Sequence, residues 1–406
     1  QFNYFGNQTI QITNKNFFAD FSDTKMRYRI LKNGKVVFEK TNISLDVKPQ
    51  SSVRMQFKDI PEMFVPESEY YLEVSLLQKE ATDMIPKGHE IAWGQFALKH
   101  GAVVNYPKDS KSALKITNSS TKITIQNDHV QLKINAISGE ITSWVFDGKE
   151  ITNQPIRPNF WRPPTDNDLG NGMDKWAKIW QNASYNYKAK LIEKPIQTDH
   201  FVSYKVAYTL PNNEAEVTIT YYVDRNGNLS ANFSYKPTQK DLPNIPRLGM
   251  YLTLNKDFTT VSWYGKGPQE SYWDRKTGQK LGVYSGKVKE QFHVYSRPQE
   301  TGNKTDVRWM QVSSKDIKLK ATSQGLFNAS VWPFDMKEID FNSDEGTQSA
   351  SGLVPVTKKH GADIKVENTL QWNIDLKQMG VGGDTSWGRL VHKEYTIPAN
   401  KTYNYS

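Results

Sequence analysis

The fold class follows from residues 26–38, which read Met26-Arg27-Tyr28-Arg29-Ile30-Leu31, then Asn33-Gly34, then Val36-Val37-Phe38. The apolar side chains before the Asn-Gly pair recur with a period of two, which places them on one face of a β-strand. Asn-Gly is the pair that best accepts the positive φ angles of a two-residue hairpin turn. The stretch therefore predicts a β-hairpin.

The same period of two continues through most of the 406 residues. Further strands are predicted at 71–76, 141–145 and 217–223, and two more within 123–134. Helical spacing occurs only in Lys175–Gln181, where Trp176, Ile179 and Trp180 lie at positions i, i+3 and i+4. The pattern predicts an all-β fold with one short helical stretch.

The composition changes at residues 101–114, which lose the alternation and gain Pro, Ser and Lys. This change predicts a linker. The strand pattern of residues 1–100 predicts a β-sandwich of roughly seven short strands. Residues 115–406 continue the strand pattern without a second linker, so they predict one large antiparallel domain.

Charge and composition narrow the classes of function. The 52 Lys and Arg residues outnumber the 43 Asp and Glu, but they are scattered, which favours a solvated surface over nucleic-acid binding. The absence of Cys excludes disulfides and zinc–thiolate sites. No apolar run approaches the ~18 residues of a membrane-spanning helix, and no signal peptide is recognisable. The compartment, cytoplasmic or periplasmic, stays open.

Short catalytic motifs are not found. The seven His residues never show HxH or HExxH spacing, so no metal site is predicted. There is no GxSxG motif, and the glycine-rich Gly265–Pro268 is interrupted by Pro with no helix after it, unlike a phosphate loop. The chain begins at Gln1 rather than Met, which we interpret as a fragment or a processed product.

Acidic residues are the remaining candidates for chemistry, since glycoside hydrolysis needs two carboxyl groups flanking the scissile bond. The densest group is Asp166-Asn167-Asp168. In a strand both Asp side chains would share one face, whereas beside a helix they would act as caps, the more ordinary role of Asp and Asn. Glu270 and Glu300 are isolated, so local chemistry gives no complete catalytic set.

Four longer motifs resemble segments of the small-chain domain of glycoside hydrolase family 2 β-galactosidases. They follow the family's order at Pro158–Gly170, Gly265–Lys276, Tyr295–Trp309 and Gly380–Trp387. Leu45–Gln50 and Gly88–Phe96 are similar to the immunoglobulin-like domain that precedes it in the family. The resemblance implies an immunoglobulin-like β-sandwich followed by a large antiparallel β-supersandwich of the galactose-mutarotase-like kind.

The same resemblance implies the C-terminal portion of a retaining β-galactosidase that hydrolyses terminal β-galactosides. In this family the two catalytic glutamates lie on a (β/α)₈ barrel, and this chain shows no alternating β/α pattern. No catalytic residue is therefore assigned, and the portion alone is predicted to be inactive. Its expected partners are the barrel-containing N-terminal part and the β-galactoside substrate, in a homo-oligomer. No cofactor is expected in this portion, and Mg²⁺ and Na⁺ would belong to the barrel.

The resemblance also implies that the rim of the active site lies in this chain. Trp387 matches the tryptophan that stacks on the sugar at the aglycone side, and an indole offers an apolar face for such stacking. Gly170 begins a segment that matches a mobile loop at the pocket mouth, flanked by Asp166, Asn167 and Asp168. The sequence from Asn171 to Asp174 is short for such a loop, so its closure over the substrate stays open.

Two other classes of function stay open. One is a separate small subunit or carbohydrate-binding module, which co-purification with a large subunit would indicate. The other is a mutarotase-like enzyme acting on free sugars. Only the implied fold suggests that activity, and fold is a weak warrant for function.

Overall fold

The computed structural model describes residues 1–58, 65–99, 101, 112–341, 346–348, 355–357, 359–385 and 388–406. The chain forms two compact units: unit 1 comprises Gln1–Tyr106 with Lys280–Val283, and unit 2 comprises Pro107–Gln279 with Tyr284–Ser406. Residues 102–111 of the predicted linker lie outside the described residues. The limits 1–100, 101–114 and 115–406 therefore stay predictions.

The described residues of unit 1 before residue 101 form seven strands in two antiparallel sheets. They are β1 (Phe2–Tyr4), β2 (Thr9–Thr13), β3 (Thr24–Lys32), β4 (Lys35–Ile43), β5 (Ser52–Gln56), β6 (Tyr70–Gln78) and β7 (Glu90–Lys99). One sheet has the strand order β1-β2-β5 and the other β4-β3-β6-β7. Ile10, Leu72 and Val74 are fully buried in the hydrophobic core of this unit. The predicted seven-stranded sandwich is confirmed.

Strands β3 and β4 form the hairpin that residues 26–38 predict. Asn33 and Gly34 have φ angles of 49° and 76°, as a two-residue turn that follows the strand twist requires. Met26, Tyr28 and Ile30 are all buried, so the alternation in β3 does mark its core face.

The remaining strands follow from residue 115 onwards. The first group is β8 (Lys115–Asn118), β9 (Lys122–Gln126), β10 (Val130–Asn135), β11 (Ile141–Phe146), β12 (Lys149–Thr152), β13 (Arg157–Asn159), β14 (Lys188–Gln197), β15 (Phe201–Thr209), β16 (Ala215–Asp224) and β17 (Leu229–Pro237). The second group is β18 (Arg247–Asn255), β19 (Thr260–Gly267), β20 (Lys280–Lys287), β21 (Lys304–Ser313), β22 (Lys318–Trp332), β23 (Gly346–Gln348), β24 (Pro355–Thr357), β25 (Thr369–Gln378) and β26 (Tyr403–Tyr405).

These strands build three larger sheets and one small pair. The orders are β12-β11-β10-β9-β8, β13-β18-β25-β22-β21-β19-β20 and β14-β15-β16-β17-β26, with β23 beside β24. Each large sheet contributes buried side chains, such as Leu132, Ile219 and Trp372, to one hydrophobic core. Stacked sheets that share a core are the expected way to bury strands with one apolar face. The all-β, antiparallel fold class is confirmed.

The helices of unit 2 differ from the prediction. They are α1 (Asp166–Gly170), α2 (Met173–Trp176) and α3 (Lys178–Tyr185), with 3₁₀ turns at Val288–Glu290, Met336–Glu338, Gly361–Asp363 and Lys393–Tyr395. The single helical stretch Lys175–Gln181 was wrong in its limits, because Ala177 ends α2 and precedes α3 with φ −104° and ψ 7°. No helix in the described part of the chain is long and apolar enough to cross a lipid bilayer.

The expected loop after Gly170 also needs correction. Only Asn171 and Gly172 separate α1 from α2, since Met173 and Asp174 already belong to α2. Gly172 adopts a φ of 78°, a left-handed conformation that glycine takes at little steric cost, and it separates the two helices.

Candidate functional site

Helix α1 begins with a capping box. The backbone N–H of Asp168 donates to Oγ1 of Thr165 at 3.1 Å, and the N–H of Thr165 donates to the Asp168 carboxylate at 3.0 Å. This reciprocal pair satisfies N–H groups that the start of a helix otherwise leaves without partners. Of the two local roles left open for Asp168, the structure shows the cap.

Arg162 and Asp168 form a fully buried ion pair. Nε and Nη2 of Arg162 donate to the two carboxylate oxygens of Asp168 at 3.1 and 2.9 Å, and both side chains are 0% exposed. Arg162 also donates to the carbonyl oxygens of Met379 and, at 2.8 Å, of Gly380, directly after β25. A bidentate hydrogen bond fixes the orientation of the guanidinium group as well as pairing its charge. Arg162 therefore ties the start of α1 to the segment that follows β25.

Asp166 presents a charged carboxylate at the surface. Arg297 Nε donates to one carboxylate oxygen at 2.7 Å and Gln299 Nε2 to the other at 3.0 Å. Partial burial works to raise the pKa of Asp166, but the Arg297 charge and these hydrogen bonds outweigh it and lower that pKa. The Asp166 side chain is 67% exposed, so this ionised acceptor can be reached from solvent.

Asn167 binds both ends of the segment that follows β25. Its Nδ2 donates to the carbonyl oxygens of Gly382 at 3.2 Å and Arg389 at 2.9 Å, and its Oδ1 accepts from the N–H of Gly388 at 2.9 Å. Residues 380–389 are termed the glycine loop. Ser386 and Trp387 lie outside the described residues, so the predicted stacking of Trp387 on the sugar stays a prediction.

Close contacts with a neighbouring backbone and with a side chain account for two glycines of the glycine loop. Gly388 has a φ of 104°, and a Cβ there would lie 2.2 Å from the carbonyl carbon of Gly170 at the end of α1. A Cβ on Gly380 would lie 2.7 Å from the carboxyl group of Asp274. The Asp274 oxygens accept hydrogen bonds from the N–H groups of the two residues after Gly380, at 3.0 and 2.7 Å. Only glycine fits such approaches without displacement.

A second group of buried charges joins β18 and β25 to Glu300. Arg247 Nη2 lies 2.8 Å from Glu300 Oε2, Arg247 Nε lies 3.4 Å from Asp375 Oδ2, and all three side chains are 0% exposed. Burial raises the pKa of Glu300 against the opposing charge of Arg247. Burial also raises the pKa of Asp375 to about 7, with Arg247 opposing and Glu300 adding to the rise. These carboxyl groups are enclosed by protein.

The structure brings the α1 residues of the predicted site to the glycine loop. Asp166, Asn167, Asp168 and Gly170 all belong to α1, and Asn167 and Gly170 contact the glycine loop directly. Their predicted contact with substrate stays a prediction. Among the residues that the structure describes, no group of three or more His, Asp or Glu side chains is placed to hold a metal ion.

Sequence reasoning missed the partners of these residues. Arg162, Arg297 and Asp274 each lie within one of the four family motifs, which was the only available signal for them. Their contacts join positions that are far apart in sequence: 218 residues separate Arg162 from Gly380, and 131 separate Asp166 from Arg297. A single sequence does not reveal pairs at such separations.

Comparison with models of protein families identifies the family of this chain. Residues 126–406 match the model described as β-galactosidase small chain, and residues 10–99 match β-galactosidase domain 4. The chain belongs to the β-galactosidase small-chain family. The resemblance that the four motifs carry is thereby confirmed.

Relatives that this chain matches over most of its length are named β-galactosidase. It is 32% identical over 397 residues to that of Priestia megaterium, covering 97% of this chain and 36% of the relative. It is 29% identical over 402 residues to that of Halalkalibacterium halodurans, covering 98% of this chain and 38% of the relative. The chain thus spans little more than a third of the relatives' length.

A loose structural likeness also exists. An Escherichia coli K12 protein assigned as an aldose 1-epimerase aligns over 72% of this chain and 97% of its own, with 8% identity and a TM-score of 0.39. A TM-score this low carries no argument about fold or function.

Proposed function

We propose that this chain is the C-terminal portion of a retaining β-galactosidase of glycoside hydrolase family 2. The small-chain family match over residues 126–406 and the β-galactosidases among its relatives support the proposal. In the complete enzyme, this portion supplies the aglycone-side rim of the active site and scaffold contacts. The observation that carries this role is that Asn167 binds residues on both sides of Trp387.

The catalytic glutamates belong, in this proposal, to a part of the enzyme outside this chain. A retaining mechanism needs an acid/base and a nucleophile, two carboxyl groups about 5–5.5 Å apart that both reach the sugar. Asp168, Glu300 and Asp375 are fully buried beside arginines. Asp166 is exposed but is bonded to Arg297. The described carboxyl groups in this region are therefore engaged in holding the structure.

The rim acts through binding rather than proton transfer. An indole at Trp387 would pack against the apolar C–H face of the sugar that leaves or arrives at the aglycone side. Asn167 holds residues on both sides of Trp387, so Trp387 loses less conformational entropy when an acceptor sugar binds. The affinity for the acceptor is higher as a result. Asp166, ionised and exposed, offers an acceptor for a sugar hydroxyl.

Substitution of Trp387 in the complete enzyme tests this role. We expect Trp387→Ala to reduce galactosyl transfer to a sugar acceptor by about tenfold, because about 1.4 kcal/mol of stacking is lost. Transfer to water should change much less, since water makes no stacking contact. Trp309→Ala, which removes a half-buried indole on β21, is the matched control. Unchanged acceptor kinetics in Trp387→Ala would refute the rim assignment.

A separately encoded small subunit is the second candidate, because the matched family is described as a small chain. In that case the chain would co-purify with a larger, barrel-bearing polypeptide from its native source. Recovery of a single polypeptide that contains both parts would exclude it.

A further inference from the structure

A small surface cleft on the seven-stranded sheet lies where strand pairing is irregular. The register between β21 and β22 shifts between Lys304 and Val307 and again between Val307 and Trp309. Asp306, inside the first shift, has a φ of 52°, which is unusual for a residue other than glycine. Bulges and backbone strain of this kind cluster at functional sites, where they redirect side chains.

The cleft has a volume of about 200 Å³. This is smaller than the roughly 300–1,000 Å³ typical of pockets for drug-sized ligands, so it suits a single ring. It is termed the Trp273 cleft, and its walls include Trp273, Lys276, Asp306, Leu326, Asn328 and Lys377.

The position of Trp273 is fixed by its neighbours. Tyr272 and Arg275 close a tight turn around it through two backbone hydrogen bonds of 2.9 and 3.1 Å. Its ring meets the ring of Tyr395 edge-on, with the centroids 5.8 Å apart and the planes at 83°. The next residue, Asp274, binds the glycine loop. The indole is therefore pre-positioned, which reduces the entropy lost on binding a ligand.

Two polar groups of the cleft have no hydrogen-bond partner among the residues that the structure describes. They are the indole N–H of Trp273 and the side-chain amide of Asn328. The indole N–H groups of six other tryptophans do donate hydrogen bonds: Trp161, Trp176, Trp180, Trp263, Trp332 and Trp372. Neither group is among the described buried side-chain atoms that lack a partner, so both face solvent and are available to a ligand.

The remaining walls combine apolar surface with one ion pair and one further lysine. Leu326 is 51% exposed, which is high for an apolar side chain of its size. Lys276 and Asp306 form an ion pair at 2.7 Å, so their charges largely cancel. Lys377 Nζ lies over the face of the Trp273 ring, 4.7 Å from the ring centroid, and adds a hydrogen-bond donor and a positive charge to the cleft.

We propose that the Trp273 cleft binds one pyranose ring of a neutral saccharide. The C–H face of the ring packs against Trp273 and Leu326. The indole N–H, the Asn328 amide and the Lys276–Asp306 pair supply donors and acceptors for its hydroxyl groups. The site does not include Trp387 and does not depend on the chain being part of a hydrolase, so it goes beyond the proposed function.

Direct binding to the purified 406-residue chain tests the proposal, with methyl β-galactoside, lactose, maltose and sodium glucuronate as probes. Affinity is measured by calorimetry, and the indole N–H resonances are followed by NMR. We expect saturable binding of at least one neutral sugar, a shift of the Trp273 resonance, and an affinity about tenfold weaker in Trp273→Ala. Asn328→Ala should weaken binding without affecting folding, since its side chain makes no hydrogen bond within the described part of the chain.

The control variants show whether binding depends on the Trp273 cleft itself. Trp309→Ala is matched, because Trp309 is half-buried on the same sheet and carries Lys320 Nζ 4.9 Å from its ring centroid. Trp309→Ala should leave the affinity unchanged, and circular dichroism should show all variants folded. The proposal is overturned if no neutral sugar binds, if only glucuronate binds, or if folded Trp273→Ala binds as the wild type does.

Discussion

Arg162 is the residue on which the position of α1 most depends. Its guanidinium pairs with buried Asp168 and donates to carbonyl oxygens after β25. We expect Arg162→Ala to lower the free energy of unfolding by about 3–5 kcal/mol, because it leaves a charge buried without its partner. Urea unfolding followed by tryptophan fluorescence measures the loss.

The matched control for this substitution is Arg389→Ala. The Arg389 side chain is exposed and only its carbonyl oxygen binds Asn167, so its loss should change stability by less than about 0.5 kcal/mol. A cost below about 1 kcal/mol for Arg162→Ala would show that the buried pair does not hold α1.

The raised pKa of Asp375 predicts that the stability of the protein depends on pH. Burial raises its pKa in the folded chain to about 7, against about 3.9 for an unfolded Asp. Between pH 4 and 7 the folded state therefore holds a proton that the unfolded state has lost. This group makes the protein less stable as the pH rises through that window, by at most about 4 kcal/mol.

Asp375→Asn should remove this pH dependence, because the amide stays neutral. Relative to the wild type, we expect the variant's melting temperature to rise at pH 8 and to show no such gain at pH 4. Exposed Asp257→Asn is the control and should follow the wild type at both pH values. If the melting temperatures of Asp375→Asn and the wild type differ by the same amount at pH 4 and pH 8, the pKa of Asp375 is not raised.

At the scale of elements, α1 acts as the support of the glycine loop. Asn167→Asp keeps the acceptor for Gly388 but loses the two N–H···O bonds to Gly382 and Arg389. We expect a loss of stability of about 1–2 kcal/mol. In the complete enzyme, we expect transfer to a sugar acceptor to fall while transfer to water is largely kept.

A comparison of two variants shows whether this effect is specific to the glycine loop. Asn186→Asp, at an exposed position after α3, also loses an amide hydrogen bond but does not contact the glycine loop. Its acceptor kinetics should equal those of the wild type. Equal changes in Asn167→Asp and Asn186→Asp would argue against a positioning role for Asn167.

The strands were predictable from sequence, whereas the helices were predictable only in part. In β3 and β16 one face is buried and the other is not, so apolar and polar residues alternate along the sequence with a period of two. Helix α1 spans only Asp166–Gly170, which is too short for a helical period to show. It forms because of the Thr165 cap and the Arg162 pair, and the pair depends on tertiary structure.

Part of the site was predictable because its residues are neighbours in the sequence. Asp166, Asn167, Asp168 and Gly170 are contiguous in sequence, and the family motif marked them together. The partners of Asp166 and Asn167 come from segments more than a hundred residues away, so local pattern gives no account of what these two side chains bind. The vacant polar groups beside Trp273 also depend on tertiary structure, so no local sequence pattern indicates them.

At the scale of the whole molecule, the chain contains two all-β units and covers little more than a third of its β-galactosidase relatives. Each unit has its own hydrophobic core. In our account the complete enzyme divides its work. We propose that a barrel outside this chain breaks the glycosidic bond and that this chain shapes the place where the leaving or accepting sugar binds.

Hydrolysis of a chromogenic β-galactoside tests this division of work most directly. The purified 406-residue chain is assayed alone and after mixing with the barrel-containing N-terminal part of the enzyme. The account predicts no turnover by the chain alone and restored turnover on mixing. Robust turnover by the chain alone, abolished by substitution of Asp166, Asp168 or Glu300, would contradict it and would place a catalytic pair within these two units.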